Sequence, residues 1–137
     1  MAKDKRPYFT MTASNPPRTD GPRPHLSAGR HLIPQRYVVG WPDGIVKVGV
    51  TDFGRRRWGP FLSRGGIMLD LAYYETLADS SVAESWLQSR LLERFKFAFS
   101  DRSQAEPYLG GRGSGSMECF RIPVDHWPEV LELARAE

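Results

Sequence analysis

Two short runs rich in β-branched residues, Tyr37-Val38-Val39-Gly40 and Ile45-Val46-Lys47-Val48-Gly49-Val50, flank the turn triplet Pro42-Asp43-Gly44. Valine and isoleucine are stiff at χ1 and favour strands, and Asp-Gly supplies the backbone freedom of a tight reversal, so the spacing predicts an antiparallel hairpin. Met68 to Thr76, with its leucines and tyrosines, reads as a third strand. From Ser81 to about Ala98 the residues Ala83, Leu87, Leu91, Phe95 and Ala98 recur at three- and four-residue steps, which draws one apolar stripe along a helix. That stripe should pack on the sheet. The expected fold is therefore α/β (α+β): a small mixed three-stranded sheet with an N-terminal hairpin and flanking helices.

The remaining segments are weaker in pattern. Thr51 to Gly66 can start a helix with Thr51 or Asp52 as cap, but Gly54 and the pair Gly59-Pro60 predict a short or broken one. Asp101 to Ser116 contains Gly110-Gly111-Arg112-Gly113-Ser114-Gly115-Ser116 and reads as a mobile loop. Met117 to Ile122 reads as a short strand, and Asp125 to Ala136 as a closing helix that accommodates Pro128 in its first turn. Residues 1 to 35 hold Pro7, Pro16, Pro17, Pro22, Pro24 and Pro34 with Lys3, Lys5, Arg6, Arg18, Arg23 and Arg30. Such a stretch buries too little apolar surface to offset its ordering entropy, so it is expected to be a disordered basic arm ahead of a domain over 36 to 137.

With 137 residues and 40% apolar content the chain suits one domain with one modest core. Its net charge is only +3, yet its pI of about 9.2 leans it towards polyanions, because clustered lysine and arginine displace counterions from phosphates. Cys119 is the single cysteine, which leaves no partner for an intramolecular disulfide and no thiolate zinc cluster. Together with the lack of any apolar run long enough for a bilayer, this leads to the expectation of a cytoplasmic protein with no membrane contact. His25, His31 and His126 have no metal-site spacing, and the glycine run at 110–116 lacks the lysine, strand and helix of a phosphate-binding loop.

Arg36-Tyr37-Val38-Val39-Gly40, a turn, Lys47-Val48-Gly49, Arg57 eight residues later, and Glu84 near the start of a long helix together resemble the GIY-YIG nuclease superfamily over roughly Tyr37 to Phe120. Met117-Glu118-Cys119-Phe120 is similar to the Glu-Trp-Phe ending of the small phage and fungal branch, whose second motif carries lysine where other members carry tyrosine. The first motif departs from the family in reading Gln35-Arg36-Tyr37. The resemblance implies a divalent-metal-dependent endonuclease that hydrolyses phosphodiester bonds in DNA, with RNA as the alternative substrate, and with Mg²⁺ (or Mn²⁺) as cofactor. It assigns Tyr37 as general base, Lys47 as the group that tunes it, Arg57 as phosphate clamp and Glu84 as metal ligand. Arg55, Arg56, Arg64 and Arg112 are the candidate nucleic-acid contacts, and target choice would fall to a partner protein or added module.

The residue types suit that chemistry. A phenol is a poor base at its unperturbed pKa of about 10, and a nearby cation favours its phenolate. A guanidinium offers a planar fork to two phosphate oxygens, which lysine cannot copy. One carboxylate is enough for an ion such as Mg²⁺ that keeps most of its waters. Plain readings stand beside these. Ser81-x-x-Glu84 is a capping box in which Glu84 would serve only the helix start. Arg56 is an alternative to Arg57, Glu118 is either a second polar group or a strand-edge charge, and Trp41, Trp58, Trp86 and Trp127 read as packing. A non-catalytic nucleic-acid-binding module on the same fold is the alternative to the enzyme.

Overall fold

The computed structural model describes residues 15–19 and 33–136. Five strands and four α-helices are seen among them: β1 (Gln35–Trp41), β2 (Ile45–Thr51), α1 (Arg55–Ser63), β3 (Ile67–Tyr73), α2 (Leu77–Leu92), β4 (Lys96–Phe97), α3 (Arg102–Leu109), β5 (Cys119–Arg121) and α4 (Trp127–Ala134). The strands form one sheet in the order β3-β1-β2-β5-β4, and every pairing is antiparallel. The α+β class is as expected, but the sheet has five antiparallel strands where three in a mixed sheet were expected. Of the two added strands, β5 falls within the short strand expected over Met117 to Ile122, whereas β4, two residues long, is too short for any periodic signal.

The hairpin is the centre of the domain. Gly44 donates its N–H to the Trp41 carbonyl at 2.8 Å and takes φ 103°, a conformation that glycine adopts without steric cost, so the loop closes in three residues. Every residue of β1 is buried, because helices cover both faces of the sheet. Even positions face α2 and α4, where Val38, Val46, Val48, Leu87, Leu91, Phe120 and Val130 make one core. Odd positions face α1 and α3, where Tyr37, Val39, Trp41, Ile45, Phe61 and Leu109 make another. Fully burying side chains such as Leu87 and Leu91 contributes about 1.5–3 kcal/mol each. A bulge between β1 and β3 leaves Leu69 as an extra residue, and past it Asp70 pairs with Val38 on the even face.

Helix boundaries differ from expectation for local reasons. α2 starts at Leu77, where Thr76 caps it by accepting from the Asp79 N–H at 3.0 Å. It ends at Leu92, because Lys96 and Phe97 leave the helix to pair with β5. α1 runs nine residues straight through Gly59-Pro60, and at the surface Pro60 forfeits only one backbone bond. The expected loop from Asp101 instead holds α3, whose capping box joins the Asp101 carboxylate to the Gln104 N–H and the Gln104 side chain to the Asp101 N–H. Two short 3₁₀ turns, Gly111–Gly113 and Ser116–Glu118, follow it and lead into β5.

Part of the expected arm belongs to the domain. Thr19 bridges to Tyr73 on the outer edge of β3, the Asn15 side chain donates to the Ala136 carbonyl at 2.8 Å, and Arg18 reaches Asp70 at 2.7 Å. Residue 35 is already in β1. The rest of the expected arm, residues 1–14 and 20–32, lies outside the described residues. Among the described residues no helix is long and apolar enough to cross a membrane.

Candidate active site

Tyr37 lies on the odd face of β1, opposite Gly49 of β2. Its ring crosses directly over that glycine, so that a Cβ at residue 49 would overlap the phenol oxygen and ring. The family-like spacing of tyrosine and glycine thus has a steric cause here: only a residue without a side chain leaves room for the phenol. Lys47, one step along the same face, puts its ammonium 5.3 Å from the centre of the Tyr37 ring and 5.6 Å from that of Phe61. Arg57 stands one turn before Phe61 on α1 and lays its guanidinium 5.8 Å from the same ring centre. Phe61 also packs on Tyr37 at 5.9 Å between centroids. Three of the expected groups therefore gather round one phenyl ring, which sequence reasoning had not singled out.

Glu84 is in the body of α2, eight residues after the Thr76 cap, so it does not cap the helix start. Its carboxylate is buried and accepts from the Gln88 amide at 3.3 Å. The same Gln88 nitrogen donates to the Val48 carbonyl at 3.0 Å, on the stretch of β2 that β5 leaves unpaired. Tyr37 and Glu84 thus meet the neighbouring residues Gly49 and Val48, the phenol by contact and the carboxylate through Gln88. Gln88 is the second group that went unnoticed in the sequence, since a glutamine one turn after a glutamate on a helix carries no distinctive signal.

Glu118, the undecided acid, resolves as a partner of the site. The turns after α3 carry it to Lys47, with Oε1 2.5 Å from Nζ. Burial alone would pull the Lys47 ammonium down. The charges of Tyr37, Glu118 and Cys119 and the hydrogen bond to Glu118 outweigh it, and hold the group above its ordinary value of 10.5. Burial pushes the neighbouring Cys119 thiol up to about 12, so it stays neutral.

Exposure divides the site in two. Tyr37 and Lys47 are 0% exposed and Glu84 is 6% exposed, whereas Arg55, Arg56 and Arg57 are all at the surface. These arginines occupy the first turn of α1, which contains no acid and has no side-chain cap. Positive charge at the positive end of a helix dipole, beside uncapped N–H groups, favours an anion there. Arg55 lies over Trp58 at 5.5 Å. Arg64 is exposed against Gly110, and Arg112, at φ 64°, is exposed on the following turn. Among the described residues none of these five arginines has a carboxylate partner. The tryptophans are packing groups, Trp41 donating to the Arg64 carbonyl and Trp58 to the Gln35 side chain.

Among the described residues no three His, Cys, Asp or Glu side chains gather as a metal group. Glu118 is committed to Lys47, and Glu84, braced by Gln88, stands on α2, which packs on the face of the sheet opposite to Tyr37, Lys47 and Arg57. One braced carboxylate fits a Mg²⁺ or Mn²⁺ ion that draws its other ligands from water and substrate oxygens. No family model matches the chain, no curated protein matches it and no solved structure matches it.

Proposed function

We propose that the chain is a divalent-metal-dependent endonuclease of GIY-YIG type that hydrolyses phosphodiester bonds in DNA. The observation that carries this is the gathering of Tyr37, Lys47 and Arg57 round Phe61, with Glu84 bound through Gln88 to the strand that Tyr37 lies across. Hydrolysis forms a P–O bond from water, breaks the P–O bond to the leaving sugar oxygen and moves one proton from the water. In its phenolate form Tyr37 receives that proton, and Lys47 sets a fixed positive charge against the phenol ring. Arg57, planar and permanently charged, binds the non-bridging oxygens and offsets the negative charge that grows on them. Glu84 would hold the metal, which when bound stabilises the leaving oxygen as a Lewis acid. Arg55, Arg56, Arg64 and Arg112 bind flanking phosphates.

The complete burial of Tyr37 and Lys47 favours a second reading, a non-catalytic nucleic-acid-binding module on the same fold. Supercoiled plasmid incubated with the protein and Mg²⁺ or Mn²⁺ separates the two. Nicked or linear product from the wild type, lost in Glu84→Gln and Arg57→Ala, is the expected result. Retained binding with no cleavage by any form would leave the binding module standing and end the enzyme proposal.

A further inference from the structure

Among the described residues the most exposed large apolar side chain is Phe53, at 57%. It stands in the short connection between β2 and α1, and its backbone is fixed. The Thr51 hydroxyl accepts the Phe53 N–H at 2.8 Å, and Gly54, at φ 64°, turns the chain into α1 immediately afterwards. An aromatic ring kept in water on a rigid turn loses little entropy when something covers it. Beside it is a cavity of about 290 Å³ lined, among the described residues, by Phe53, Arg56 and Arg57.

The two arginines differ. Arg57 lies over the Phe61 ring, as Arg55 lies over Trp58. Arg56 has neither an aromatic ring beneath it nor a carboxylate partner among the described residues. A hollow with one flat apolar wall and one unengaged guanidinium suits a ligand with a flat ring next to an anion. A nucleotide has both, and its base presents a free face only when it is out of the double-helical stack.

We infer that this hollow holds an unstacked base of a single-stranded nucleic acid, with Phe53 stacked on the base and Arg56 on the adjoining phosphate. The inference rests on the proposal that phosphodiesters bind at Arg57, and it adds to it a substrate class: strands with a base free to leave the stack. Phe53 is a positioning residue, since its ring touches the base beside the phosphate and not the bond that breaks. Every base has a π-face, so the contact selects strandedness and not sequence.

The test is binding without divalent metal, read by anisotropy of a short labelled single-stranded oligodeoxynucleotide. A companion series lacks the base at one residue at a time. For the wild type, removing the base at one position is expected to weaken binding by about 5- to 100-fold. Phe53→Ala is expected to bind the intact strand as weakly as the wild type binds that abasic strand and to show no further loss on it, while Phe53→Trp restores the difference. Equal binding by wild type and Phe53→Ala, or an abasic penalty that persists in Phe53→Ala, would overturn the inference. Plasmid cleavage with Mg²⁺, run in parallel, reports on the nuclease proposal separately. Cleavage without the Phe53-dependent penalty sinks the stacking contact alone, whereas the penalty without cleavage upholds the contact and removes the enzyme.

Discussion

Arg36 and Tyr37 are neighbours on β1, both fully buried, and they face opposite sides of the sheet. On the even side Arg36 donates to Asp70 at 2.7 Å and to the Ala134 carbonyl at 3.1 Å. Arg18 and Arg135 reach the same carboxylate, so one acid joins the strap at 15–19, two strands and the end of α4. On the odd side Lys47 has, among the described residues, a single carboxylate partner, Glu118, and arginines with no carboxylate partner among those residues stand nearby at the surface. The first cluster ties distant parts of the chain together. The second concentrates uncompensated charge in one place, as a site for an anion requires.

Breaking the tie should cost most. Asp70→Ala leaves Arg36 buried with only a backbone carbonyl, and its Nε and Nη1 already have no partner among the described residues. The expected loss is about 3–5 kcal/mol, read as a lower urea midpoint. A loss below about 1 kcal/mol would mean that the cluster does not bind the elements together. Glu118→Gln is expected to cost less, about 1–3 kcal/mol, because the carboxylate is 27% exposed. The double variant Lys47→Met with Glu118→Gln should recover most of that loss and still not cleave, since replacing both members of a buried pair is close to neutral for stability. Recovery of cleavage along with stability would remove Lys47 from the site.

Titration tells the two faces apart by sign. Burial pulls the Asp70 carboxyl up, but the hydrogen bonds and charges of Arg18 and Arg36 outweigh it, so it sits below its ordinary value of 3.8. Its stabilisation is complete above pH 3.8 and is lost as the pH falls through the lower folded value. Lys47 is shifted up, so its contribution is complete below pH 10.5 and is lost as the pH rises through the higher folded value. Cys119 adds an alkaline loss between pH 9.0 and about 12, where the unfolded thiol ionises and the folded one does not. Urea midpoints followed against pH should show an acid limb that Asp70→Asn flattens and an alkaline limb that Cys119→Ala and Glu118→Gln flatten. An acid limb unchanged in Asp70→Asn would place that titration elsewhere.

Gly49→Ala tests the phenol's seat directly. The added methyl overlaps the Tyr37 ring and oxygen, and the displacement should cost about 1–3 kcal/mol by overpacking. Plasmid cleavage should fall further than that loss of stability explains. Cleavage at the wild-type rate would show that the position of the phenol is immaterial.

What the sequence disclosed followed the strength of its periodic and turn signals. The hairpin was legible because Asp-Gly between β-branched runs has few other uses, and α2 was legible in Ala83, Leu87 and Leu91. Its ends were not, because Thr76 looked like strand and Phe95 to Ala98 continued the helical spacing although Phe97 pairs with Phe120. α3 was hidden by Pro107 and the glycines around 110–116, although Asp101-x-x-Gln104 is a capping box. Tyr37, Lys47, Arg57 and Glu84 were singled out by their resemblance to family spacing. Phe61 and Gln88, which relate them in space, look like ordinary core and helix residues, and Glu118 could be placed only once the chain after α3 was seen to fold back on Lys47. The burial of the phenol was equally out of reach, since Tyr37 reads the same in a strand with one open face.

The smallest effects on stability should come from the exposed arginines, and there the contrast between the faces is sharpest. Arg57→Ala removes a surface group with no ion pair among the described residues, so stability should stay within about 0.5 kcal/mol of wild type. Its cleavage should nevertheless be abolished, because the lost group is the proposed phosphate clamp. Arg64→Ala and Arg112→Ala touch neither the phenol nor Glu84 in the proposed roles. Each should leave single-turnover cleavage of bound DNA near the wild-type rate while weakening binding, with the slope of log affinity against log salt reduced by about one. A slope unchanged in both would exclude them from the nucleic-acid surface and confine it to the start of α1. A change in the cleavage rate of bound DNA would instead mean that Arg64, packed against Gly110, acts through the turns that carry Glu118 to Lys47.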